Sequence, residues 1–268
     1  MHRPPHSQQQ LTAQFAELGV ETGGLLVVHA SLRALGAVDG GAETVVRALQ
    51  GALGESGTVV VPTFTAENSD TSPDYRARVQ GLDEEAAAAV RERMPAFDRL
   101  TTPASPTLGV LAETVRRTPG AERSAHPQTS FAALGSGAGK IVAGHLPDCH
   151  LGEDSPLARL YDGWAQVLLL GTGFDACSAF HLGEYRVPNP PRRTYRCVIT
   201  TQGRRTWWSY EDVDLTDHDF AALGDDFERG CDSGTVKYGQ VGDASCRLFH
   251  VTEAADFAKG WLPANRPY

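Results

Sequence analysis

The order of apolar segments near the start of the chain constrains the fold more than any other feature. The segment LLVVH (25–29) predicts a buried strand, GGAETVVRALQGAL (40–53) predicts a helix, and TVVVP (58–62) predicts a second strand. Short runs of branched apolar residues favour strands, and apolar residues at helical spacing favour a helix. A strand, a helix and a strand within about 40 residues are typical of a βαβ unit with parallel strands. The sequence therefore predicts the α/β class.

The rest of the chain adds to this core. QVLLLG (166–171) predicts a further strand, and the segment 195–210 predicts a hairpin that turns at Gln202-Gly203. Residues 66–107 are rich in Asp, Ser, Pro and Thr, and we interpret them as an excursion that covers a substrate. Residues 1–10 are polar and predict a loose terminus. We expect one domain over 1–268, with a mostly parallel central sheet and an antiparallel C-terminal addition.

Composition excludes several classes of protein. The 268 residues carry 33 Asp and Glu against 24 Lys and Arg, a net charge of −9, which disfavours nucleic acids and anionic membranes as partners. The five cysteines show no CxxC spacing, so neither a disulfide framework nor a thiolate zinc site is expected. The segment MHRPPHSQQQ lacks the apolar stretch of a secretory signal, and no apolar run approaches membrane-spanning length. We expect a cytoplasmic protein.

The strand at 166–171 leads into the segment most suited to chemistry. His181 precedes Glu184 by three residues, which on a helix places an imidazole and a carboxylate on one face. A histidine beside a carboxylate is a candidate general base, and Ser178 could donate a hydrogen bond to an oxyanion. In open α/β sheets such groups gather at the carboxyl ends of the strands. The spacing alone leaves open that His181 is an exposed structural residue.

Two other segments are candidates for anion binding. In HASLRALG (29–36), Ser31 could cap a helix and Arg33 could reach a phosphate. In RSAHPQTSF (123–131), the Arg and Ser side chains could bind phosphates or a pantetheine amide, and His126-Pro127 fixes a turn. Taken in isolation, each segment favours an ordinary structural turn. His29, His126 and His181 do not form a recognised ligand spacing, so no metal site is expected.

Seven segments in series resemble the aminoglycoside N(3)-acetyltransferase family, the antibiotic acetyltransferases that are unrelated to the GCN5-type fold. The resemblance runs from about residue 11 to residue 262 and therefore covers nearly the whole chain. The segments are LLVVHASLRALGAVDGGAETVVRAL, GTVVVPTFT, MPAFD, RTPGAERSAHPQTSFAALG, LGEDSPLARLYD, VLLLGTGFDACSAFHLGEY and VKYGQVGDASCRLF.

The resemblance implies an α/β/α sandwich that binds acetyl-coenzyme A, with no metal, in one cleft and a cationic amine in the adjoining one. It implies that His181 is the catalytic base, Glu184 its partner and Ser178 the accompanying hydroxyl. The coenzyme-binding residues that it implies are His29, Ser31, Leu32, Arg33, Arg123, Ser124 and Phe131. The acceptor-binding residues that it implies are Glu67, Asn68, Asp98 and Glu184.

The chain departs from the family pattern at a few positions. It has HASL where the family has His-Ser-Ser-Leu, and Cys177 stands where the family often has Asn. The expected reaction is direct acetyl transfer, without an acyl-enzyme, to the 3-amino group of an aminoglycoside. The alternatives are the same transfer to a non-antibiotic biosynthetic amine, a binding protein without catalysis, and metal-assisted amide hydrolysis. Either a monomer or a homodimer is compatible with the sequence.

Overall fold

The fold is built on a central sheet and a separate hairpin, in a computed structural model that describes residues 4–266. The central strands are β1 (Leu25–Ala30), β2 (Thr58–Pro62), β3 (Glu122–Arg123), β4 (Phe131–Gly135), β5 (Gln166–Leu170), β8 (Lys237–Val241) and β9 (Ala244–His250). The hairpin strands are β6 (Arg192–Thr201) and β7 (Arg204–Val213).

The central sheet has the strand order β3-β4-β2-β1-β5-β9-β8. Strands β2, β1 and β5 run parallel to one another, with Leu26 opposite Val59 and Val27 opposite Val167. The pairings outside this centre are antiparallel. The predicted α/β class, the parallel sheet centre and the antiparallel C-terminal addition are confirmed.

Helices cover both faces of the sheet. They are α1 (Gln8–Leu18), α2 (Leu32–Leu35), α3 (Gly41–Leu53), α4 (Pro73–Val79), α5 (Glu84–Glu92), α6 (Val110–Arg117), α7 (Ala138–Val142), α8 (Pro156–Asp162), α9 (Phe180–Arg186), α10 (Phe220–Gly230) and α11 (Val251–Asn265). Side chains alternate across a strand, so Leu26 and Val28 enter a core with α1, α3 and α6, and Val27 enters a second core with α7 to α11. This arrangement is the α/β/α sandwich.

The excursion after β2 packs on the hairpin. Tyr75 of α4, Met94 and Val198 of β6 form a third, small hydrophobic core with Trp207 beside it. The Phe97 amide donates to the Val198 carbonyl (3.0 Å), and the Val198 amide donates to the Asn68 carbonyl (2.8 Å). The hairpin turns at Gln202-Gly203, as predicted, with φ values of 51° and 73° at the two residues.

The described part of the N-terminus is ordered, so the predicted loose terminus is wrong for residues 4–10. His6 is buried, and its amide donates to the Ala37 carbonyl (2.8 Å). Ser7 caps α1 by accepting a hydrogen bond from the Gln10 amide. Residues 1–3 lie outside the described range. Within that range, none of the helices combines the length and the apolar character needed to cross a membrane.

Candidate active site

A cleft of about 600 Å³ opens where the parallel strands end. His29 and Ala30 of β1, Pro62 of β2 and Thr172 after β5 line its floor. The carboxyl ends of parallel strands are the usual position of a ligand cleft in open α/β sheets, and the volume is in the range of small-molecule sites. One wall is formed by the start of the excursion, with Thr71, Ser72, Pro73, Asp74 and Arg76.

His181 and Glu184 meet at this cleft as their spacing on α9 predicts. His181 Nδ1 lies 2.6 Å from Glu184 Oε2. The carboxylate side chain is 2% exposed and the imidazole is 12% exposed, and the ring lines the cleft. Because a carboxylate oxygen only accepts at this contact, Nδ1 carries the proton and Nε2 is the basic nitrogen. Phe220 packs on the ring with centroids 4.7 Å apart and fixes its orientation.

The other oxygen of Glu184 is also occupied. Oε1 accepts a hydrogen bond from the Thr216 amide (3.1 Å) and another from the Arg266 guanidinium. Arg266 in turn donates to Asp219 through Nε (2.7 Å). The carboxylate is thus held from two sides, by the imidazole and by groups that follow the hairpin or end α11.

Ser178 lies in the loop before α9, and its Oγ is 3.2 Å from His29 Nε2. Burial, and next the proximity of His181, lower the pKa of His29 to about 4, so this imidazole is neutral near pH 7. The adjacent Cys177 is fully buried, and burial raises the pKa of its thiol to about 12. A neutral thiol is a poor nucleophile, so the geometry disfavours a cysteinyl intermediate.

Several cleft residues have no signal in the sequence. Three carboxylates line the cleft, and two guanidiniums line it as well. The carboxylates are Asp74, Asp175 and Asp217, and the guanidiniums are Arg76 and Arg193. Isolated charges in loops carry no spacing pattern, so only the fold brings them together.

Three predicted coenzyme residues, from the end of β3 to the start of β4, do not line the cleft. Arg123 is buried and donates to Thr63 and Ser130 through Nε and to the Thr63 carbonyl through Nη2 (2.7 Å). Ser124 Oγ accepts from the Phe131 amide (2.9 Å), and Phe131 is fully buried. These contacts hold the three residues within the body of the chain, and their contact with a coenzyme stays a prediction.

Only one of the predicted coenzyme residues in and after β1 lines the cleft. His29 lines the cleft, but Ser31, Leu32 and Arg33 are not among its lining residues. Ser31 occupies the N-cap position of α2, but its side chain makes no capping hydrogen bond, so that predicted cap is wrong. Arg33 is exposed.

The predicted acceptor residues of the excursion also lie away from the cleft lining. Glu67 accepts from Ser105 Oγ (2.8 Å), and Asn68 is buried and donates to the Pro127 carbonyl (3.0 Å). Asp98 accepts from the amides of Leu100 and Thr101, which closes a local turn. Local hydrogen bonds therefore occupy these three side chains, and their contact with the acceptor stays a prediction.

A buried histidine cluster, formed by His126, His145 and His150, lies behind the cleft. The His126 ring stacks on His145 at 4.8 Å and lies 4.6 Å from His150, which lines the cleft. Burial lowers the pKa of His145 to about 4 and that of His150 to about 3, and it holds the pKa of His126 well below its usual value. The rings are therefore neutral near pH 7.

Hydrogen bonds fix each ring of the cluster. His126 Nδ1 accepts from the Gln128 and Thr129 amides at 3.1 and 3.0 Å, which makes the turn predicted at His126-Pro127. His145 Nε2 donates to the Cys149 and His150 carbonyls, both at 3.0 Å. Across residues 4–266, no group of three or more His, Cys, Asp or Glu side chains has the arrangement of a metal site.

Comparison with known proteins defines the class. The family model described as aminoglycoside 3-N-acetyltransferase matches residues 27–263, and the chain belongs to this family. It is an acetyltransferase enzyme of that family. The aminoglycoside N(3')-acetyltransferase-like protein YokD of Bacillus subtilis is 38% identical, over 97% of this chain and 94% of its own length. The aminoglycoside N(3)-acetyltransferase III of Pseudomonas aeruginosa is 35% identical, over 97% and 95%.

Solved structures of related proteins have the same fold. The crystal structure of YokD superposes with a TM-score of 0.89 at 37% identity, over 97% of this chain and 100% of that one. An AAC-IIIb structure binary with CoASH gives 0.84 at 29% identity, and an AAC-VIa structure bound to sisomicin gives 0.84 at 31%. Both of these cover 99% of this chain and 100% of the other.

Proposed function

We propose that this enzyme transfers the acetyl group of acetyl-coenzyme A to the 3-amino group of an aminoglycoside, with His181 as the general base. The observation that carries the proposal is the 2.6 Å contact between His181 Nδ1 and Glu184 Oε2 at the wall of a cleft of about 600 Å³. Relatives of the same family bind CoASH and sisomicin, which supports both co-substrates. Glu184 orients the ring and stabilises the imidazolium that forms.

The proposed transfer is direct. The acceptor amine attacks the thioester carbonyl, a C–N bond forms, and His181 Nε2 takes the proton that the nitrogen releases. The C–S bond then breaks, and the imidazolium returns the proton to the departing thiolate, so the products are the amide and free coenzyme A. The raised pKa of the Cys177 thiol supports a route without an acyl-enzyme.

Ser178 is the proposed donor to the oxyanion. His29 is neutral, and in the tautomer with its proton on Nε2 it donates to Ser178 Oγ at 3.2 Å. The hydroxyl proton of Ser178 is then free to meet the oxygen that becomes negative. One donor of this kind contributes about 3 kcal/mol to transition-state stabilisation in enzymes that transfer acyl groups.

The charges in the cleft suit two co-substrates of opposite sign. Asp74, Asp175 and Asp217 fit an acceptor with several ammonium groups, and they are proposed acceptor contacts. Arg76 and Arg193 fit the phosphates of a coenzyme. The proposal includes protection against the antibiotic, because acetylation removes a positive charge, and a cytoplasmic location, where acetyl-coenzyme A is supplied.

The same two arginines favour a second candidate, in which the acceptor is a biosynthetic amino sugar that itself carries an anionic group. The chemistry at His181 is unchanged in this candidate. Only the occupant of the acceptor half of the cleft differs.

Thiol release from acetyl-coenzyme A tests the proposal. The enzyme is assayed with aminoglycosides that carry a 3-amino group, with matched compounds that lack it, and with amino sugars that have a single amine. We expect release only with the first set, and product mass spectra and NMR should locate one acetyl group on the 3-nitrogen. Transfer to the anionic single-amine sugars alone would support the second candidate. Absence of transfer to every aminoglycoside would overturn the proposal.

A further inference from the structure

A residue distant in sequence holds the carboxylate that orients His181. Arg266 directly follows α11, and its guanidinium donates to Glu184 Oε1. The same side chain donates to the Thr216 carbonyl (2.9 Å) and forms a fork with Asp219, at 2.7 Å from Nε and 2.5 Å from Nη2. Its side chain is only 9% exposed. A guanidinium with its donors committed in this way has one orientation.

We propose that Arg266, held by Asp219, is a positioning residue that keeps Glu184 aligned on His181. The inference rests on the function proposed above. The two oxygens of Glu184 have different partners. Oε2 faces the imidazole, and Oε1 is fixed by Arg266 and the Thr216 amide. Without Arg266 one backbone amide remains on Oε1, and the carboxylate gains freedom to rotate away from Nδ1. Partners one layer behind a functional histidine commonly set its tautomer and orientation.

The electrostatics favour this arrangement. Burial by itself would lower the pKa of Arg266, but its hydrogen bonds with Asp219 and Glu184 outweigh burial and raise the pKa. The guanidinium therefore stays charged and balances the two carboxylates that it touches. His181 and Arg266 contact Glu184, and Asp219 contacts Arg266 from the far side. Asp214 and His218 line the small cavity beside Glu184.

Arg266 also connects the dyad to the wall of the cleft. Its guanidinium carbon lies 5.9 Å from the centroid of Phe220, and the same ring packs on His181. Asp217 and Phe220, which flank Asp219 in the chain, line the cleft. One side chain thus links the end of α11, the start of α10 and the acid of the dyad.

A second cavity gives experimental access to this contact. It has a volume of about 320 Å³ and is lined by Glu184, Thr216, His218 and Arg266, among others. Removal of the Arg266 side chain would enlarge this space beside Oε1. Guanidinium ion has the charge and the donor fork of the missing group, so it can bind there in a variant that lacks the arginine.

The first test compares Arg266→Ala and Arg266→Lys with the wild-type enzyme. We expect Arg266→Ala to lower kcat by about 10- to 100-fold and to change the KM for acetyl-coenzyme A by less than about threefold, because only alignment of the base is lost. Arg266→Lys keeps the positive charge but loses the forked donor geometry. Its kcat should lie between those of the wild-type enzyme and Arg266→Ala. Guanidinium chloride at low concentration should restore part of the activity of Arg266→Ala, and potassium chloride at equal ionic strength should not.

Arg116→Ala is the matched control. Arg116 is similarly buried (10% exposed) and is paired with Glu113 by a two-point contact, but it does not contact the dyad. We expect its variant to lose stability without a fall in kcat and without a response to guanidinium. Equal behaviour of the two alanine variants would overturn the inference, because the Arg266 effect would then be structural.

Two measurements separate this inference from the proposed function. The downfield proton NMR signal of the His181 Nδ1–H group, recorded without substrate, should broaden in Arg266→Ala and remain sharp in Arg116→Ala. In addition, Arg266→Ala should cost little further activity when Glu184→Gln is already present, because residues that act through one another are not additive. An unchanged NMR signal or additive losses would overturn the positioning role, whereas an inactive wild-type enzyme with the expected NMR result would overturn only the proposed function.

Discussion

His181 and the buried histidine cluster contain the same residue type but serve opposite purposes. His181 has a carboxylate on one nitrogen and the cleft beside the ring. The three cluster histidines have hydroxyls, amides and carbonyls as hydrogen-bond partners, and burial lowers their pKa values. The difference teaches that the surroundings, and not the residue type, decide what an imidazole can do: an anionic partner stabilises the imidazolium, and burial without such a partner disfavours it.

The sharpest test of the comparison removes the imidazole of His181. His181→Ala should reduce kcat by roughly 10³- to 10⁴-fold, the upper range for loss of a general base, with binding of coenzyme A retained. Thiol release and calorimetric titration with coenzyme A are the measurements. His250→Ala, at a histidine beside Trp164 and away from the cleft, is the control and should keep its activity. Near-normal turnover by His181→Ala would refute the role assigned to it.

The cluster predicts acid lability. At His145 and His150 the unfolded chain binds protons below about pH 6.5, and the folded protein does not until roughly pH 4 or lower, so stability falls as the pH is lowered through that window. The lowered pKa of His126 acts in the same direction. His145 and His150 should each cost roughly 1.4 kcal/mol at pH 5.5, or about 3 kcal/mol together. Denaturant titrations between pH 7.5 and 5 measure the slope. A stability that does not change over this range would contradict neutral burial of the cluster.

Substitution of His126 should lower stability with little effect on kcat. His126→Ala leaves the Gln128 and Thr129 amides without their acceptor and creates a cavity, so we expect a loss of about 2–3 kcal/mol in the free energy of unfolding. His126→Asn keeps an acceptor near the position of Nδ1 and should lose less. For both variants kcat should fall by less than about tenfold, in contrast to His181→Ala. A collapse of kcat in a folded His126→Asn enzyme would break the comparison.

The smallest expected effect is at Cys177. Because burial raises the pKa of this thiol to about 12, iodoacetamide should not modify it in the native enzyme at pH 8. Cys177→Ala should keep activity within a few-fold of wild type, since the proposed direct transfer does not use the thiol. Accumulation of an acetylated Cys177 in a rapid-quench mass spectrum would instead indicate a covalent route.

Local patterns in the sequence predicted the parts of this molecule that depend on neighbours in the chain. The spacing of His181 and Glu184 predicted their contact, and Gln202-Gly203 predicted the hairpin turn. Short continuous runs of branched apolar residues in β1 and β2 predicted buried strands. These features are set within a few residues, and the physical rules for helices, turns and strands suffice for them.

Long-range contacts account for what the sequence did not predict. Arg123 resembles a free loop arginine, yet its partner Thr63 is 60 residues away and the contact buries it. His145 and His150 carried no signal, because they become informative only when stacked beside His126. Arg266 reaches Glu184 across 82 residues, and no spacing rule connects them. The family resemblance indicated the class of reaction, but it did not place the cleft carboxylates.

The small core that joins the excursion to the hairpin has a consequence for the evolution of acceptor range. Tyr75, Met94 and Val198 pack apart from the two cores that flank the sheet, and the chain around them supplies cleft residues such as Asp74 and Arg193. Substitutions there would act on the wall of the cleft that carries these residues, whereas His181 and Glu184 belong to α9. Under the proposed function, we therefore expect changes in this core to alter the choice of amine more than the proton transfer at His181.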